Sequence, residues 1–395
     1  MRRYDTSIKD IVYAKANFCK NHSGQDPIFL SDWNSDYNNI LIPSLEYNSS
    51  KSSDLQQYYF WTDENNYRSN IQTFIFNHFH KLISKDCFAI GTNGTSSMML
   101  ALTALKEAGK KKALIFTPIY FSTLNMLDKL ELDVAEFNLS VHNNFYIDIN
   151  QLEKIIIKSS SDILIITNPL FGSGVEIDID TIKKISDICN THNVCLLMDY
   201  IYGGMAWEVS DPIDYIFQYQ VYCAVSLAEQ HIFIESISKR LFLNGAKFSL
   251  VFSSSSIMRR ILRLSVFMIG SMAFQQVNLV SQIYCSPSVA VLSNLISENA
   301  TRANNHYRIL KTMLYDTSAN ISNANCGYFA IVSLPKKNRK EDIAYAIDLL
   351  NQTGVLTIPH SRYLFNEDGY YSFRINLLLD YNNLIEGVTR IGNLK

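Results

Sequence analysis

In the run Ser236-Ile237-Ser238-Lys239-Arg240-Leu241-Phe242-Leu243-Asn244-Gly245-Ala246-Lys247, a lysine follows two closely spaced hydroxyls, and a second lysine stands eight residues on. Such a lysine suits imine formation with an aldehyde that also carries a phosphate. Ser236 and Ser238 can donate to phosphate oxygens, Lys247 can offset their charge, and Lys239 supplies the amine. A surface lysine in a serine-rich strand end is the other reading of the same run. Asp199 is the second candidate, because it closes the apolar run Val194-Cys195-Leu196-Leu197-Met198. A carboxylate there is costly to bury without a cationic or protonated partner, and a protonated ring nitrogen is such a partner.

A scaffold that collects strand ends is needed to bring these groups together. From Ile71 onward, short apolar runs alternate with helical periods: 87–91, 113–117, 134–137, 163–167, 194–199, 221–225, 231–235 and 248–252. That alternation predicts an α/β fold with a largely parallel sheet covered by helices on both faces. In such sheets the ligand lies beyond the carboxyl ends of the strands. The strand-end candidates are therefore Gly94, Thr95 and Ser96 at a helix start, Tyr120 or Phe121 after Thr117-Pro118, Asn168 after Thr167, and Asp199 with Tyr202. Small residues opening a helix let backbone N–H groups approach an anion, although an ordinary capped helix start has the same composition. An aromatic at a strand end is equally at home in a core.

Residues 258–284 lack strong breakers apart from Gly270 and predict one long helix leading to a second domain. Beyond it, 328–334, 355–358 and 372–378 read as strands and 340–351 as a helix, a small α+β domain of about one hundred residues. The expected division is an N-terminal arm over 1–57 that contributes to the small domain, a large cofactor-binding domain over 58–285, and a small C-terminal domain over 286–395.

At 395 residues the chain exceeds one ordinary core. With 47% hydrophobic and 18% charged residues it reads as globular. Lys+Arg 35 against Asp+Glu 37 gives no global basicity that would recommend nucleic acid. The two N-terminal arginines are followed by no apolar segment, and the apolar stretch 264–274 is too short to span a bilayer. No membrane association and a cytoplasmic location are the expectations. Seven scattered cysteines without Cys-x-x-Cys spacing point to reduced thiols, and His78 and His80 would point to different faces of a helix, so no metal is expected.

The run around Lys239 resembles the signature of fold-type-I pyridoxal-phosphate enzymes of the class I/II aminotransferase family, Ser-x-Ser-Lys followed by Gly-x-Arg-x-Gly. Lys247 stands at the family's arginine and Ser249 at its last glycine. A lysine acts as a point charge where arginine would grip phosphate with a planar fork. The resemblance covers about 58 to 378 and implies an aspartate-aminotransferase-like, three-layer α/β/α large domain with a smaller α+β domain. It also implies pyridoxal 5′-phosphate as cofactor, with Gly94, Thr95 and Ser96 in the phosphate cradle and Tyr120 lying flat on the ring. Asp199 would pair with the ring nitrogen and Tyr202 with the ring 3′-oxygen. Asn168-Pro169-Leu170-Phe171-Gly172 resembles the family's Asn-Pro-x-Asn-Pro, but Phe171 replaces the asparagine that donates to that oxygen, so Asn168 or another group substitutes or the oxygen has one partner fewer. Tyr58, followed by Asp63 in place of a glycine and by Tyr67-Arg68, falls on a tyrosine that reaches a neighbouring subunit's phosphate; an aromatic cluster in interface or core is the alternative. Arg374 falls on the arginine that grips a substrate α-carboxylate, a structural ion pair being its other reading.

The expected function is a homodimeric amino acid aminotransferase with Lys239, Asp199 and Tyr202 as its catalytic groups and an amino acid and a keto acid as its substrates. A non-transaminating enzyme on the same scaffold, an amino acid oxidase, cyclase or lyase, is the alternative motivated by Phe171, Lys247 and Asp63. A catalytically inert binding module is the third, opposed by the joint presence of Lys239, Asp199, Tyr202 and Arg374.

Overall fold

The computed structural model describes residues 4–37, 56, 58–61, 69–73, 83–209, 215, 231–245, 247–283, 286–336 and 341–392. Its strands, in chain order, are β1 (Ile28–Phe29), β2 (Phe88–Gly91), β3 (Lys112–Thr117), β4 (Asp133–Asn138), β5 (Ile163–Thr167), β6 (Cys195–Asp199), β7 (Ile232–Glu235), β8 (Ser249–Ser253), β9 (Asn320–Ile321), β10 (Phe329–Pro335), β11 (Val355–Leu356) and β12 (Tyr370–Asn376). Continuous apolar runs such as Ile-Leu-Ile-Ile-Thr of β5 are buried from end to end. That is what strands covered on both faces require.

A seven-stranded sheet has the order β2-β8-β7-β6-β5-β3-β4. β4, β3, β5, β6 and β7 pair in parallel, while β8 runs antiparallel to both β7 and β2. The carboxyl ends of β2, β3, β5, β6 and β7 consequently share one edge, where β8 begins. Helices return the chain between strands, and three of their starts are capped by side chains: Asn93 accepts from the N–H of Ser96 at 2.9 Å, and Asp148 and Asp178 do the same for Gln151 and Thr181. The expected alternation and mostly parallel sheet are found. The expected strand at 221–225 lies outside the described residues, as do Asp63, Tyr67, Arg68, His78 and His80.

The single helix expected over 258–284 is instead two, Ser255–Met268 and Phe274–Ile283. Gly270 adopts φ +77 between them, and the N–H of Met272 bonds the carbonyl of Tyr59. A left-handed residue cannot continue an α-helix, so the glycine ends the first helix. The long helix lies further on, over Ser286–Leu314.

β12, β10 and β9 form an antiparallel sheet, and β1 pairs in parallel with β11. The segment after β1 is bonded to β12 and the turn beyond it: Ser31 Oγ donates to the carbonyl of Arg374 at 2.7 Å, and Asn376 Nδ2 donates to the carbonyls of Asp32 and Asn34 at 3.2 and 2.6 Å. Residues 30–34 and 374–376 are thus tied together, although more than three hundred positions separate them in the chain.

Candidate active site

Beyond the carboxyl edge of the large sheet lies a cavity of about 290 Å³. Gly94 and Thr95 face it after β2, Tyr120 and Phe121 after β3, Thr167 and Phe171 from β5 and its loop, Asp199 and Tyr202 from β6, and Ser236, Ser238 and Lys239 after β7. Lys247 closes the ring just before β8. Residues spread over some 150 positions meet there because every contributing strand but β8 points the same way.

Lys239 Nζ donates to Asn244 Oδ1 at 2.8 Å and stands 5.8 Å from the centroid of the Tyr202 ring. Burial lowers its pKa to about 8, and the charges of Lys247 and Arg374 push in the same direction. At pH 7 that leaves about a tenth of the amine neutral, against fewer than about one part in a thousand for an ordinary lysine. The adjacent hydroxyls form a chain: Ser236 Oγ donates to the carbonyl of Phe248 at 2.6 Å, so the 2.6 Å contact between Ser236 and Ser238 is donated by Ser238. An anion in the cavity gives the Ser238 proton a second place to go.

Asp199 closes β6 at the cavity wall, partly buried. Its surroundings raise its pKa to about 6, while the N–H of Ile201, 3.1 Å from Oδ1, pulls the other way. Among the described residues it has no ion-pair partner. Burial raises the phenol of Tyr202, whose ring meets Tyr328 and Phe329 edge to face at 5.8 and 5.6 Å. Gly94 permits a close approach at the helix start, since a Cβ there would stand 1.9 Å from Ile201 Cδ1. The N–H of Ser96 is engaged by Asn93, and Ser96 does not line the cavity.

Three further sequence candidates also stand off the cavity. Asn168 is corrected as a substitute donor: its Oδ1 accepts from the N–H of Ile177 at 2.8 Å and its Nδ2 donates to the Ile177 carbonyl at 3.1 Å, closing the loop after β5 instead of facing the site. Tyr58 is 77% exposed, stacked on Phe60. Arg374 is buried, with Trp33 between it and the cavity: its Cζ lies 3.1 Å from the Trp33 ring centroid and 4.6 Å from that of Phe329. Nη2 donates to the carbonyl of Ser31 at 2.9 Å, whereas Nε and Nη1 have no partner among the described residues. Among the described residues no carboxylate pairs with this guanidinium, which leaves the structural ion-pair reading without a partner. Phe171 does face the cavity, packed with Ile358 and Tyr363 and surrounded by Trp33, Tyr120 and Phe121.

Sequence reasoning gave no role to Asn244 or Trp33. Asn244 stood inside the quoted run, five residues after Lys239, where its amide was a usable signal. Trp33 sits in a polar arm with no periodicity to mark it, and only its tie to β12 brings it to the cavity.

With that geometry in view, comparison with known proteins finds a sequence model of "Aminotransferase class I and II" matching residues 41–391. The chain is 23% identical over 294 residues to aspartate aminotransferase of Pyrococcus horikoshii, covering 74% of this chain and 71% of that protein. It is 24% identical over 215 residues to 1-aminocyclopropane-1-carboxylate synthase 1 of Cucurbita pepo, covering 53% of this chain and 42% of that one. The crystal structure of aspartate aminotransferase from Thermotoga maritima superposes with a TM-score of 0.76 at 16% identity, over 98% of this chain and 97% of that one.

Proposed function

The chain belongs to the class I and II aminotransferase family, whose members depend on pyridoxal phosphate, and on that premise we propose an amino acid aminotransferase that anchors its cofactor at Lys239. One observation carries the reading: Lys239, Asp199, Tyr202, Ser236, Ser238 and Lys247 converge on a single cavity from separate strand ends. The residues fit the cofactor chemically. Asp199 offers to a ring nitrogen a carboxylate without an ion-pair partner among the described residues, Ser238, Lys247 and the helix start at Gly94 and Thr95 suit a phosphate, and Tyr120 offers an aromatic face.

When bound, the cofactor supplies an aldehyde for the amine and a ring that accepts the electron pair left at the substrate Cα. Lys239 Nζ, about a tenth of it neutral at pH 7, would serve as the base that takes the Cα proton and passes it to the carbon that the cofactor's aldehyde contributes. Asp199 keeps a proton on the ring nitrogen. The family resemblance assigns the substrate carboxylate to Arg374, which in this structure lies behind Trp33 and off the cavity. Tyr58 would complete the phosphate site of a second copy, in a homodimer. The division into 1–57, 58–285 and 286–395 belongs to this proposal; the cavity-bearing sheet lies within 88–253, and the helix over Ser286–Leu314 leads into β9 to β12. Cytoplasmic residence is likewise proposed, from free thiols at Cys19, Cys87, Cys189, Cys195 and Cys326.

The test is reconstitution of the purified protein with pyridoxal phosphate, followed by a screen of amino acid and keto acid pairs monitored at the cofactor's absorbance. Loss of the aldehyde form with one matching keto acid and no ammonia supports transamination. Ammonia, carbon dioxide or oxygen uptake instead supports the non-transaminating reading, which Phe171 in the cavity wall favours.

A further inference from the structure

We propose that this site selects an amino acid with an aromatic or large apolar side chain, and that Trp33 and Phe171 are the residues that select it. The inference rests on the aminotransferase reading and names the substrate class of the same site. Its starting point is Trp33, which lines the cavity and stacks on Arg374, a buried cation off the cavity whose Nε and Nη1 have no partner among the described residues. A substrate in the cavity lies against Trp33, whose ring covers the guanidinium at 3.1 Å and also lines the cavity.

From Trp33 the wall continues as rings. Tyr120 lies 5.9 Å away edge on and Phe171 6.2 Å away, with 5.7 Å between those two. Phe121 extends the wall, 4.6 Å from Tyr120. Aromatic groups joining such a cluster gain edge and offset contacts beyond area burial. A side-chain carboxylate placed there loses its water without gaining a partner. The lining cations among the described residues are Lys239 and Lys247, and the reading above commits both to the cofactor. Nor is Trp33 a loose flap, since its neighbours Asp32 and Asn34 are tied to Asn376 and Ser31 is tied to Arg374. Trp33 is therefore a fixed part of the cavity wall.

Amine-free analogues separate this inference from turnover. Titrating the cofactor-loaded protein with 3-phenylpropanoate and with succinate, read by the cofactor's absorbance, should give a dissociation constant at least about tenfold lower for the aromatic acid, the scale on which apolar pockets discriminate. Trp33→Ala should raise the constant for 3-phenylpropanoate about fivefold or more while changing that for succinate less than about twofold, and Trp33→Phe should restore most of the preference. Phe171→Ala provides an independent variant should Trp33→Ala fail to fold. Equal or tighter binding of succinate by the wild type, or an unchanged ratio in the variants, overturns the inference. If the aromatic acid is preferred yet no amino acid is transaminated, the aminotransferase reading fails while this one stands. If aspartate is transaminated in preference and succinate binds more tightly, the opposite holds.

Discussion

At the scale of single residues, the informative group is Lys239, whose pKa is lowered to about 8 by burial and then by Lys247 and Arg374. Only the neutral amine attacks an aldehyde. The rate of cofactor attachment to the cofactor-free protein should therefore climb with pH and level off above about 8. Lys247→Gln removes one of the charges holding the pKa down, so its midpoint should move upward; a stopped-flow series at several pH values measures both, and a downward or null shift contradicts the assignment. Borohydride reduction with peptide mapping should then find the cofactor on Lys239. Asp199→Asn should leave the cofactor bound but slow Cα proton abstraction by about a hundredfold or more, each tenfold loss being about 1.4 kcal/mol of barrier. Near-native single-turnover rates would show that Asp199 is not the ring-nitrogen partner. Lys239 and Asp199 were legible in the sequence because their types and settings are chemically unusual. Asn244 and Trp33 were not, since an asparagine in a turn and a tryptophan in an arm carry no chemistry until a partner faces them.

At the scale of elements, the turn after β7 has to hold Lys239 rigidly. Glu235 ends that strand and Arg240 closes the short helix Ile237–Arg240; both are buried, and Arg240 Nη1 meets Glu235 Oε2 at 2.8 Å. Arg240 Nε donates to the carbonyl of Gly203, and the guanidinium lies 5.9 Å from the Tyr200 ring centroid. The pair clamps the loop after β6 to the turn after β7, with Ser236 and Lys239 between its two members. Glu235→Ala takes from the buried Arg240 its carboxylate partner at 2.8 Å, and a loss of about 3–5 kcal/mol is expected. Urea denaturation of the cofactor-free protein checks it, and a change under about 1 kcal/mol would mean that water or a neighbour compensates. This clamp was invisible in sequence, where a glutamate and an arginine five residues apart look like surface charges.

At the scale of the whole molecule, the seam between the loop after β5 and the C-terminal strands carries a titratable core residue. His360 is buried, its ring stacked on Phe171 at 6.1 Å, and Gly172 lies so close that a Cβ there would stand 2.6 Å from Nε2. Burial first and Arg374 second lower its pKa to about 3, opposed by the Phe171 backbone. Below about 6.5 the unfolded chain takes up a proton that the folded protein refuses until about 3, so this residue makes stability fall as pH drops through that window. Urea midpoints at pH 7 and pH 5 should differ less in His360→Leu than in the wild type, and an equal difference would place the pH sensitivity elsewhere. Tyr58 and Phe267 are 77% and 79% exposed, apolar surface that a second copy would cover. Sedimentation should give about twice the 45.1 kDa chain mass, and a monomer at micromolar concentration would remove Tyr58 from the site.

Strand alternation, the parallel sheet and the candidate lysine Lys239 follow from local pattern, because periodicity and turn chemistry act over a few residues and are written in order along the chain. The break at Gly270 was local too, yet a lone glycine is compatible with both a continuous and a broken helix; the bond from Met272 to Tyr59 belongs to the broken form. Where Asn168 spends its amide, which aromatics wall the cavity, and that Trp33 covers Arg374 were decided only by tertiary structure. Those contacts join residues tens to hundreds of positions apart, and a side chain's partners there depend on how strands register and pack, a property that no single window of sequence contains.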